Sequence, residues 1–443
     1  MNNSFKIFSL SLMLICGGTA FAQDKGYDKA NMNLDVKPGD NFVEYACGNW
    51  LKTHPLRDDQ MTNGAFLDLY EQNQKQIQEM ILEFSTKPQE KGSLGYKIGT
   101  LYNQMMDTLK RNEQGLTPIM PYIERIRAVK DRKEYQRVTA EIDRRGENTM
   151  MYAWGAGADL RDADNNIVSI SQSGLGLGNR DYYFNDDPQT QMVREAYKTY
   201  GKRMFAALGY DEAKAGELME KVYAIVKRIV EASFDNVKLR DINANYHKMS
   251  YDELVRDFPG IDWPTVFWVT GFPAFKQLVI RQPEPLHEVE KILGDTPLDD
   301  LKAYAEVRII MGAASYLTQD LRCSYFTFAQ TLTGQPQDDP LWKQATALVN
   351  GILGDAIGKL YCEKYFPESS KQRVLTMVRN LQTALGQRID ALDWMGDATK
   401  AEAKKKLADF HIKIGYPDKW KDYDKLQIED QLSLYENLAN ISE

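Results

Sequence analysis

Histidine is scarce in this sequence, with four residues among 443. A zinc hydrolase needs two histidines one turn apart on a helix, with a glutamate beside the first to activate water. No two of the four have this spacing; they are His54, His247, His287 and His411. The nearest approach starts at His287, but Lys291 takes the second position, and a protonated ammonium group cannot bind a metal. The pattern predicts no catalytic residue and no metal ligand here, unless folding brings distant histidines together.

Cysteine is equally scarce, and no pattern indicates a catalytic thiol or serine. The sequence has no G-x-S-x-G elbow, and no cysteine has a histidine beside it. Cys16 lies in the predicted signal peptide, residues 1–22, which leaves Cys47, Cys323 and Cys362. An odd number of cysteines in an exported chain indicates a free thiol or a partner outside the sequence. Cys323 and Cys362 are equally well explained as small buried hydrophobic side chains.

Long hydrophobic runs are absent after the first residues of the chain. An apolar run at 7–15 follows Lys6 and precedes the small-residue cleavage pattern Ala-Phe-Ala at 20–22. This predicts a signal peptide over residues 1–22, followed by a flexible polar leader over 23–37. The run is too short to span a bilayer, which takes roughly 20 apolar residues. We predict an exported protein without a transmembrane segment, in the periplasm, at the cell surface or outside the cell.

A basic patch is also lacking, since the net charge of -8 is spread along the chain. Nucleic-acid binding needs a basic footprint, so no nucleic-acid partner is predicted. The hydrophobic content of 43% and charged content of 27% are typical of a globular protein with a sizeable core.

What the sequence does contain is helical periodicity. Apolar residues recur at three- and four-residue spacing through 66–84, 193–208 and 218–234. Ser370 is the predicted N-cap of a further helix, and Asp397 or Thr399 that of a lysine-rich helix ending near Phe410. The first of these two helices has an apolar stripe formed by Val374, Met377, Val378, Leu381, Leu385 and Ile389.

Strand signals are few. Alternation is confined to residues 166–171, with 152–154 as a weaker partner. We therefore predict a mainly α fold: a large multi-helix domain with at most one small β-hairpin.

A glycine-rich segment, Gly-Leu-Gly-Leu-Gly at 174–178, follows the predicted strand. Its spacing departs from G-x-G-x-x-G and no βαβ unit surrounds it, so we interpret it as a turn. Arg180 and Asp181 come next, and we predict that they form a buried pair beside Tyr182 and Tyr183.

Two segments carry a family resemblance. Pro-Gly-Asp-Asn-Phe-Val-Glu-Tyr-Ala-Cys-Gly-Asn-Trp-Leu at 38–51 resembles the opening of the neprilysin and endothelin-converting-enzyme family of zinc metallopeptidases, which includes bacterial oligopeptidase O. Gly-Leu-Gly-Leu-Gly-Asn-Arg-Asp-Tyr-Tyr at 174–183 is similar to a segment that recurs in that family. Shorter matches follow in the family's order, at 245–249, 332–334, 340–343, 358–361, 392–395, 400–407 and 414–417.

The resemblance implies that residues 38–423 form the family's N-terminal helical domain. It implies that 424–443 begin the connection to a C-terminal catalytic domain that is not in this chain. The family's zinc is held by His-Glu-x-x-His, which this sequence does not contain. Zinc is therefore expected in the full-length family enzyme and not in this chain, which is expected to be inactive alone.

Two single residues take on roles through the resemblance. The family's counterpart of Cys47 is tied to the distant C-terminal part, so Cys47 is a disulfide candidate whose partner lies outside this chain. An ungapped count from Cys47 to Phe66 places Thr62 where neprilysin-type members have an arginine that grips the substrate's terminal carboxylate. Thr62 cannot make that bidentate contact.

The leading hypothesis is a substrate-gating, peptide-binding domain of an exported zinc metalloendopeptidase, with peptides and a C-terminal catalytic domain as partners. The alternative is a non-catalytic exported helical binding protein, either a decayed peptidase or a binder of peptides or glycans. A His-Glu-x-x-His downstream of Glu443 would decide for the enzyme.

Overall fold

A computed structural model of the chain describes residues 28–442, and within them the fold is mainly α, as predicted. The predicted signal peptide and Cys16 lie outside the described residues. Nineteen α-helices occur in the described part: α1 Phe42–Thr53, α2 Ala65–Ser85, α3 Leu94–Met106, α4 Thr108–Gln114, α5 Met120–Ala128, α6 Arg132–Asp143, α7 Asp181–Phe184, α8 Pro188–Ala207, α9 Glu212–Ala232, α10 Tyr251–Asp257, α11 Trp263–Val269, α12 Pro283–Asp295, α13 Leu298–Ala313, α14 Gln319–Thr333, α15 Leu341–Ile352, α16 Gly354–Tyr365, α17 Glu368–Ala391, α18 Asp397–Ala408 and α19 Leu434–Ser442.

The three predicted helical stretches coincide with α2, α8 and α9, but both predicted N-caps near the end of the chain are wrong. α17 begins at Glu368, so Ser370 lies inside its first turn. Pro367 occupies the N-cap instead, because its fixed φ of -65° suits the start of a helix. α18 begins at Asp397 after Gly396 and has no side-chain cap.

The predicted hairpin is present and belongs to a sheet of four strands. β1 is Tyr152–Asp159, β2 is Asp162–Gln172, β3 is His247–Ser250 and β4 is Gln277–Ile280. The order across the sheet is β1-β2-β4-β3, with β2 and β4 parallel and the other pairs antiparallel. β3 and β4 extend the sheet beyond the hairpin that the sequence predicts. Neither strand alternates between buried and exposed residues, so neither gives the strand signal of period two.

The chain divides into two compact units, one up to Ala65 and the other from Phe66 onward. In the first unit, side-chain amides attach the segment before α1 to that helix. Asn33 Nδ2 donates to Glu44 Oε1 over 2.8 Å, and Asn49 Nδ2 donates to the Met32 carbonyl over 2.7 Å. No helix within residues 28–442 combines the length and apolar character needed to cross a membrane.

The second unit contains two hydrophobic clusters. The larger is built from α5 to α14 and the sheet, around side chains such as Trp263 and Tyr304. The smaller joins α2, α3, α15, α16 and α19. α19 reaches both, because Leu434 lies in the smaller cluster and Tyr435 in the larger one.

Buried polar contacts anchor α19. The Tyr435 hydroxyl donates to the carboxylate of Glu147, which is 7% exposed. Asn437 Nδ2 donates to Gln104 Oε1 over 3.0 Å, and Gln104 Nε2 donates to the Leu432 carbonyl over 2.8 Å. These bonds satisfy polar groups that would otherwise be costly to bury.

Candidate functional site

The histidine side chains of the described residues do not assemble a metal site. Three have a local contact of their own: His54 Nδ1 lies 3.0 Å from the Trp50 carbonyl, His247 Nδ1 3.1 Å from the Ile280 carbonyl, and His287 Nδ1 3.0 Å from Glu290 Oε2. Across residues 28–442 there is no group of three or more His, Cys, Asp or Glu side chains that could hold a metal. The donor set of the described residues therefore does not fit a zinc site.

Cys47 lies in α1, whose N-cap Asn41 accepts a hydrogen bond from the Glu44 backbone N–H. Its side chain is half-buried, and Sγ lies 3.0 Å from the Val43 carbonyl. Cys47, Cys323 and Cys362 are free thiols in the described chain, and Cys323 is exposed rather than buried. The thiol of Cys47 is thus available for pairing.

Thr62 is exposed in the segment that follows α1 in the first unit. The neighbouring cation, Arg57, donates from Nε to Asp59 Oδ1 over 2.9 Å. The side chain of Asn63 donates to the carbonyl of His54, so this segment folds back on the end of α1.

The glycine-rich segment is a turn, as predicted, and it is built around buried tyrosines. Gly174 has φ +86°, and its carbonyl accepts from the Tyr304 hydroxyl over 3.2 Å. The Tyr183 hydroxyl accepts from the backbone N–H groups of Gly176 and Leu177 over 3.1 and 2.9 Å. These contacts give the segment a structural role.

The predicted Arg180–Asp181 ion pair is wrong. The Arg180 guanidinium carbon lies 4.5 Å from the centre of the Phe184 ring. The Asp181 carboxylate instead faces Asn236 Nδ2 at 3.5 Å. Arg180 is the N-cap of α7, and Asp181 is its first residue. Residues four apart on a helix are neighbours, so the Arg180 side chain lies over Phe184.

The predicted apolar stripe of α17 lies at the surface of the described chain, where most of its side chains are not fully covered by other residues. Met377, Leu381 and Leu385 follow one another at four-residue spacing and are 56%, 63% and 47% exposed. Ile389, one turn further, is buried. α18 packs on α17 without covering the stripe.

Two large aromatic side chains near the stripe in sequence are also exposed, Trp394 and Phe410. Exposed apolar side chains that follow one another along one face of a helix, as in the stripe, are typical of an interaction site. The sequence identifies the stripe by its period, but it does not indicate that the stripe lies at the surface.

The structure has a second surface feature that was not predicted from the sequence. It is a groove of 240 Å³ on the outer face of the hairpin. Its floor includes Gly155 and Gly157 of β1. The signal in the sequence is the run Gly-Ala-Gly-Ala at 155–158, which leaves one face of a strand without side chains.

Comparison with known proteins gives a consistent result. Residues 38–417 match the model of Peptidase family M13. Endothelin-converting enzyme-like 1 from Mus musculus is 24% identical over 414 residues, which are 90% of this chain and 53% of that protein. Neutral endopeptidase from Lactobacillus helveticus is 25% identical over 419 residues, 94% of this chain and 64% of that protein.

Solved structures show the same similarity. The zinc metalloprotease Zmp1 from Mycobacterium tuberculosis, in complex with an inhibitor, superimposes with a TM-score of 0.86 at 31% identity, covering 94% of this chain and 63% of Zmp1. PepO from Lactobacillus rhamnosis superimposes with a TM-score of 0.80 at 20% identity, covering 92% and 64%, which shows a shared fold. The chain spans between about half and two thirds of the length of these proteins.

Proposed function

Because this chain belongs to peptidase family M13, we propose that it is the peptide-binding, substrate-gating lobe of an exported zinc metalloendopeptidase. The family assignment confirms the resemblance of the ordered sequence motifs. Zmp1, whose fold the chain shares over 63% of its length, is a zinc metalloprotease. The proposal places zinc chemistry in a second lobe of the same polypeptide and leaves binding and enclosure to this one.

The exposed stripe of α17 is the observation that carries the proposal. Burying a Leu or Met side chain contributes about 1.5–3 kcal/mol. Because Met377, Leu381 and Leu385 are already about half buried, covering them would contribute roughly half of that for each side chain, which favours docking of a second lobe here. We propose that the second lobe covers this stripe.

The chemistry of a gating lobe is exclusion and orientation. Two lobes that close on each other form a chamber that admits unfolded peptides and rejects folded proteins. Closure also removes water, which strengthens the polar contacts that orient a bound peptide. When bound in the second lobe, zinc would activate the water that attacks the peptide bond.

Cys47 fits this arrangement. Export would place the chain in an oxidising compartment, where structural disulfides form. We propose that Cys47 pairs with a cysteine of the second lobe. The half-buried, locally hydrogen-bonded thiol of α1 is positioned by the helix rather than by any partner in the described chain.

The experiment measures equilibrium binding of fluorescently labelled, unstructured peptides to the purified chain by fluorescence anisotropy. We expect saturable binding of the peptide without its cleavage. Absence of saturable peptide binding would contradict the proposed function.

Thr62 provides a variant for the same assay. Thr62→Arg introduces a planar cation that can pair with a free C-terminal carboxylate, a charged hydrogen bond of about 1.5–3 kcal/mol. We expect the variant to prefer a free-acid peptide over its C-terminal amide by about tenfold, while the unmodified chain distinguishes them little. An unchanged ratio would mean that position 62 does not face the peptide. Met61→Arg, at the neighbouring exposed position, is the matched control.

A further inference from the structure

We propose that the free edge of β1 is a docking site for an extended peptide, which adds a fifth strand to the sheet. Its alternate side chains would be large and apolar, lying over Gly155 and Gly157, with an acidic group directed toward Arg281. The inference rests on the proposed function and deepens it, because it specifies the conformation and the side chains of the peptide that the lobe binds.

The edge itself is open. β1 is the end strand of the sheet, and it pairs only with β2, from Tyr152↔Gln172 to Asp159↔Asp162. In the described chain, no backbone hydrogen bond connects β1 to a segment other than β2. Ala153 and residues 156–158 are exposed. A strand of eight residues thus presents a row of unpaired N–H and C=O groups, the template to which extended peptides add.

The other edge of the sheet does not offer the same template. β3 has four residues and is followed at once by α10. An added strand would find too few backbone N–H and C=O groups to pair with there. Of the two edge strands, β1 is therefore the one that can accept an added strand.

The groove beside β1 provides room for large side chains. Gly155 and Gly157 are on the same face as Ser169 and Val279, since Gly155 pairs with Ser169 and Ser169 with Val279. A methyl group added at either glycine would meet no other atom within 4 Å. The side chains of a neighbouring strand can therefore fold over β1, as aromatic residues do over glycines in paired strands.

A fixed aromatic wall bounds this groove. The Tyr246 hydroxyl donates to Asp159 Oδ1 over 2.8 Å, and the Arg161 guanidinium carbon lies 4.4 Å from the centre of the Tyr246 ring. Tyr246 is thus held at its hydroxyl and on one face of its ring. A rigid wall favours an apolar side chain in the groove, because little conformational entropy is lost on binding.

Arg281 is the one charged side chain that lines the groove. Its backbone N–H donates to the Ile170 carbonyl over 2.8 Å, which fixes the residue at the end of β4. Its side chain is exposed and makes no hydrogen bond or ion pair within the described residues. A carboxylate of the bound peptide would complement it.

A second copy of the chain fits this surface less well. In the symmetric antiparallel register centred on residues 156 and 157, a second β1 would bring only glycine and alanine side chains to the 155–158 region, so both grooves would stay unfilled. The paired sheet would also contain a second Arg281, whose side chain likewise makes no hydrogen bond or ion pair within the described residues. A peptide with bulky and acidic side chains is the better occupant on both counts.

The test uses the full chain and the fluorescein-labelled peptide Thr-Phe-Thr-Phe-Thr-Glu, with two versions N-methylated at alternate residues in the two possible registers. In a strand, only every second N–H faces the neighbouring strand. We expect one N-methylated version to bind like the parent and the other to lose at least about tenfold in affinity. Equal binding of both versions would overturn strand addition.

Two sets of variants locate the site. Gly155→Val with Gly157→Val fills the groove with side chains that favour strands. The double variant should weaken binding of the peptide by about tenfold, because this is the affinity that burial of one phenylalanine side chain contributes. Asn166→Val, in the same hairpin at a position outside the groove, is the control and should leave affinity unchanged. Arg281→Gln should abolish the preference for the parent peptide over its Lys-terminated analogue.

The outcomes separate this inference from the proposed function. Peptide binding that is indifferent to the groove variants and to the N-methyl register would overturn the β1 site and leave the peptide-binding function standing. Absence of any peptide binding would overturn both. Concentration-dependent dimerisation that is strengthened in the Gly155→Val, Gly157→Val chain would assign the edge to a second copy and contradict the proposal.

Discussion

Glu147 illustrates how a single buried carboxylate can couple the fold to pH. The side chain is 7% exposed and accepts a hydrogen bond from Tyr435 of α19. Burial raises its pKa from 4.5 to about 7, although the Tyr435 hydrogen bond acts in the opposite direction. The pKa of Tyr435 is raised as well, by burial and then by the neighbouring Glu147. Both groups are thus favoured in their neutral forms.

The sign of the pH effect follows from this shift. In the unfolded chain the Glu147 carboxyl ionises near pH 4.5, whereas in the folded chain it keeps its proton until about pH 7. Between these values the unfolded state loses its proton first, so the free energy of unfolding falls as the pH rises. The full cost, about 3 kcal/mol, is present above pH 7.

Glu147→Gln should remove this cost, because an amide keeps an acceptor for Tyr435 and does not ionise. We expect the variant to unfold at a higher denaturant concentration than the unmodified chain at pH 8, and to match it within about 1 kcal/mol at pH 5. Chemical denaturation at the two pH values measures this. Glu113→Gln, at an exposed position, is the control and should show no such difference. A Glu147→Gln gain that is equal at both pH values would contradict the assignment.

At the scale of single elements, the turn at 174–183 depends on the absence of a side chain at one glycine. A Cβ at Gly176 would overlap the hydroxyl of Tyr197, which is buried in the larger cluster. A Cβ at Gly178, two residues on, would meet nothing within 4 Å. We therefore expect Gly176→Ala to lower the free energy of unfolding by about 1–3 kcal/mol, the usual cost of overpacking. Gly178→Ala should change it by less than about 0.5 kcal/mol. Equal effects in thermal unfolding would mean that the turn is not packed on Tyr197.

The stripe of α17 leads to a prediction about solubility. Leu381→Gln with Leu385→Gln should reduce binding of a hydrophobic dye and self-association of the chain, because both side chains are about half exposed or more. Stability should change by less than about 0.5 kcal/mol. Ile389→Gln is the matched control, since it places an amide at a buried position of the same helix and should cost about 2 kcal/mol or more. Dye fluorescence measures the exposed apolar surface, and sedimentation velocity measures self-association. An unmodified chain that is monodisperse and does not bind dye would favour the self-sufficient binding protein.

At the scale of the whole molecule, sequence periodicity predicted the helical class and the positions of α2, α8, α9 and the hairpin. The ordered motifs predicted the family. Three features could not be predicted, because each depends on which side chains the folded structure brings together or leaves uncovered. They are the Glu147–Tyr435 pair, 288 residues apart, the stacking of Arg180 on Phe184 in place of its pairing with Asp181, and the exposure of the α17 stripe. A periodic stripe has the same sequence whether it is covered by its own chain or by a partner.

The central claim is that this chain binds and encloses peptides while the zinc chemistry belongs to a second lobe. The most direct test measures zinc content by elemental analysis, together with peptide cleavage, on purified residues 23–443 that have been incubated with excess zinc and desalted. We expect far less than one zinc per chain and no cleavage of a peptide that the chain binds. The reason is that no cluster of three metal-binding side chains occurs in residues 28–442 and the sequence has no His-Glu-x-x-His. One tightly held zinc per chain, with cleavage that a chelator abolishes and added zinc restores, would contradict the account.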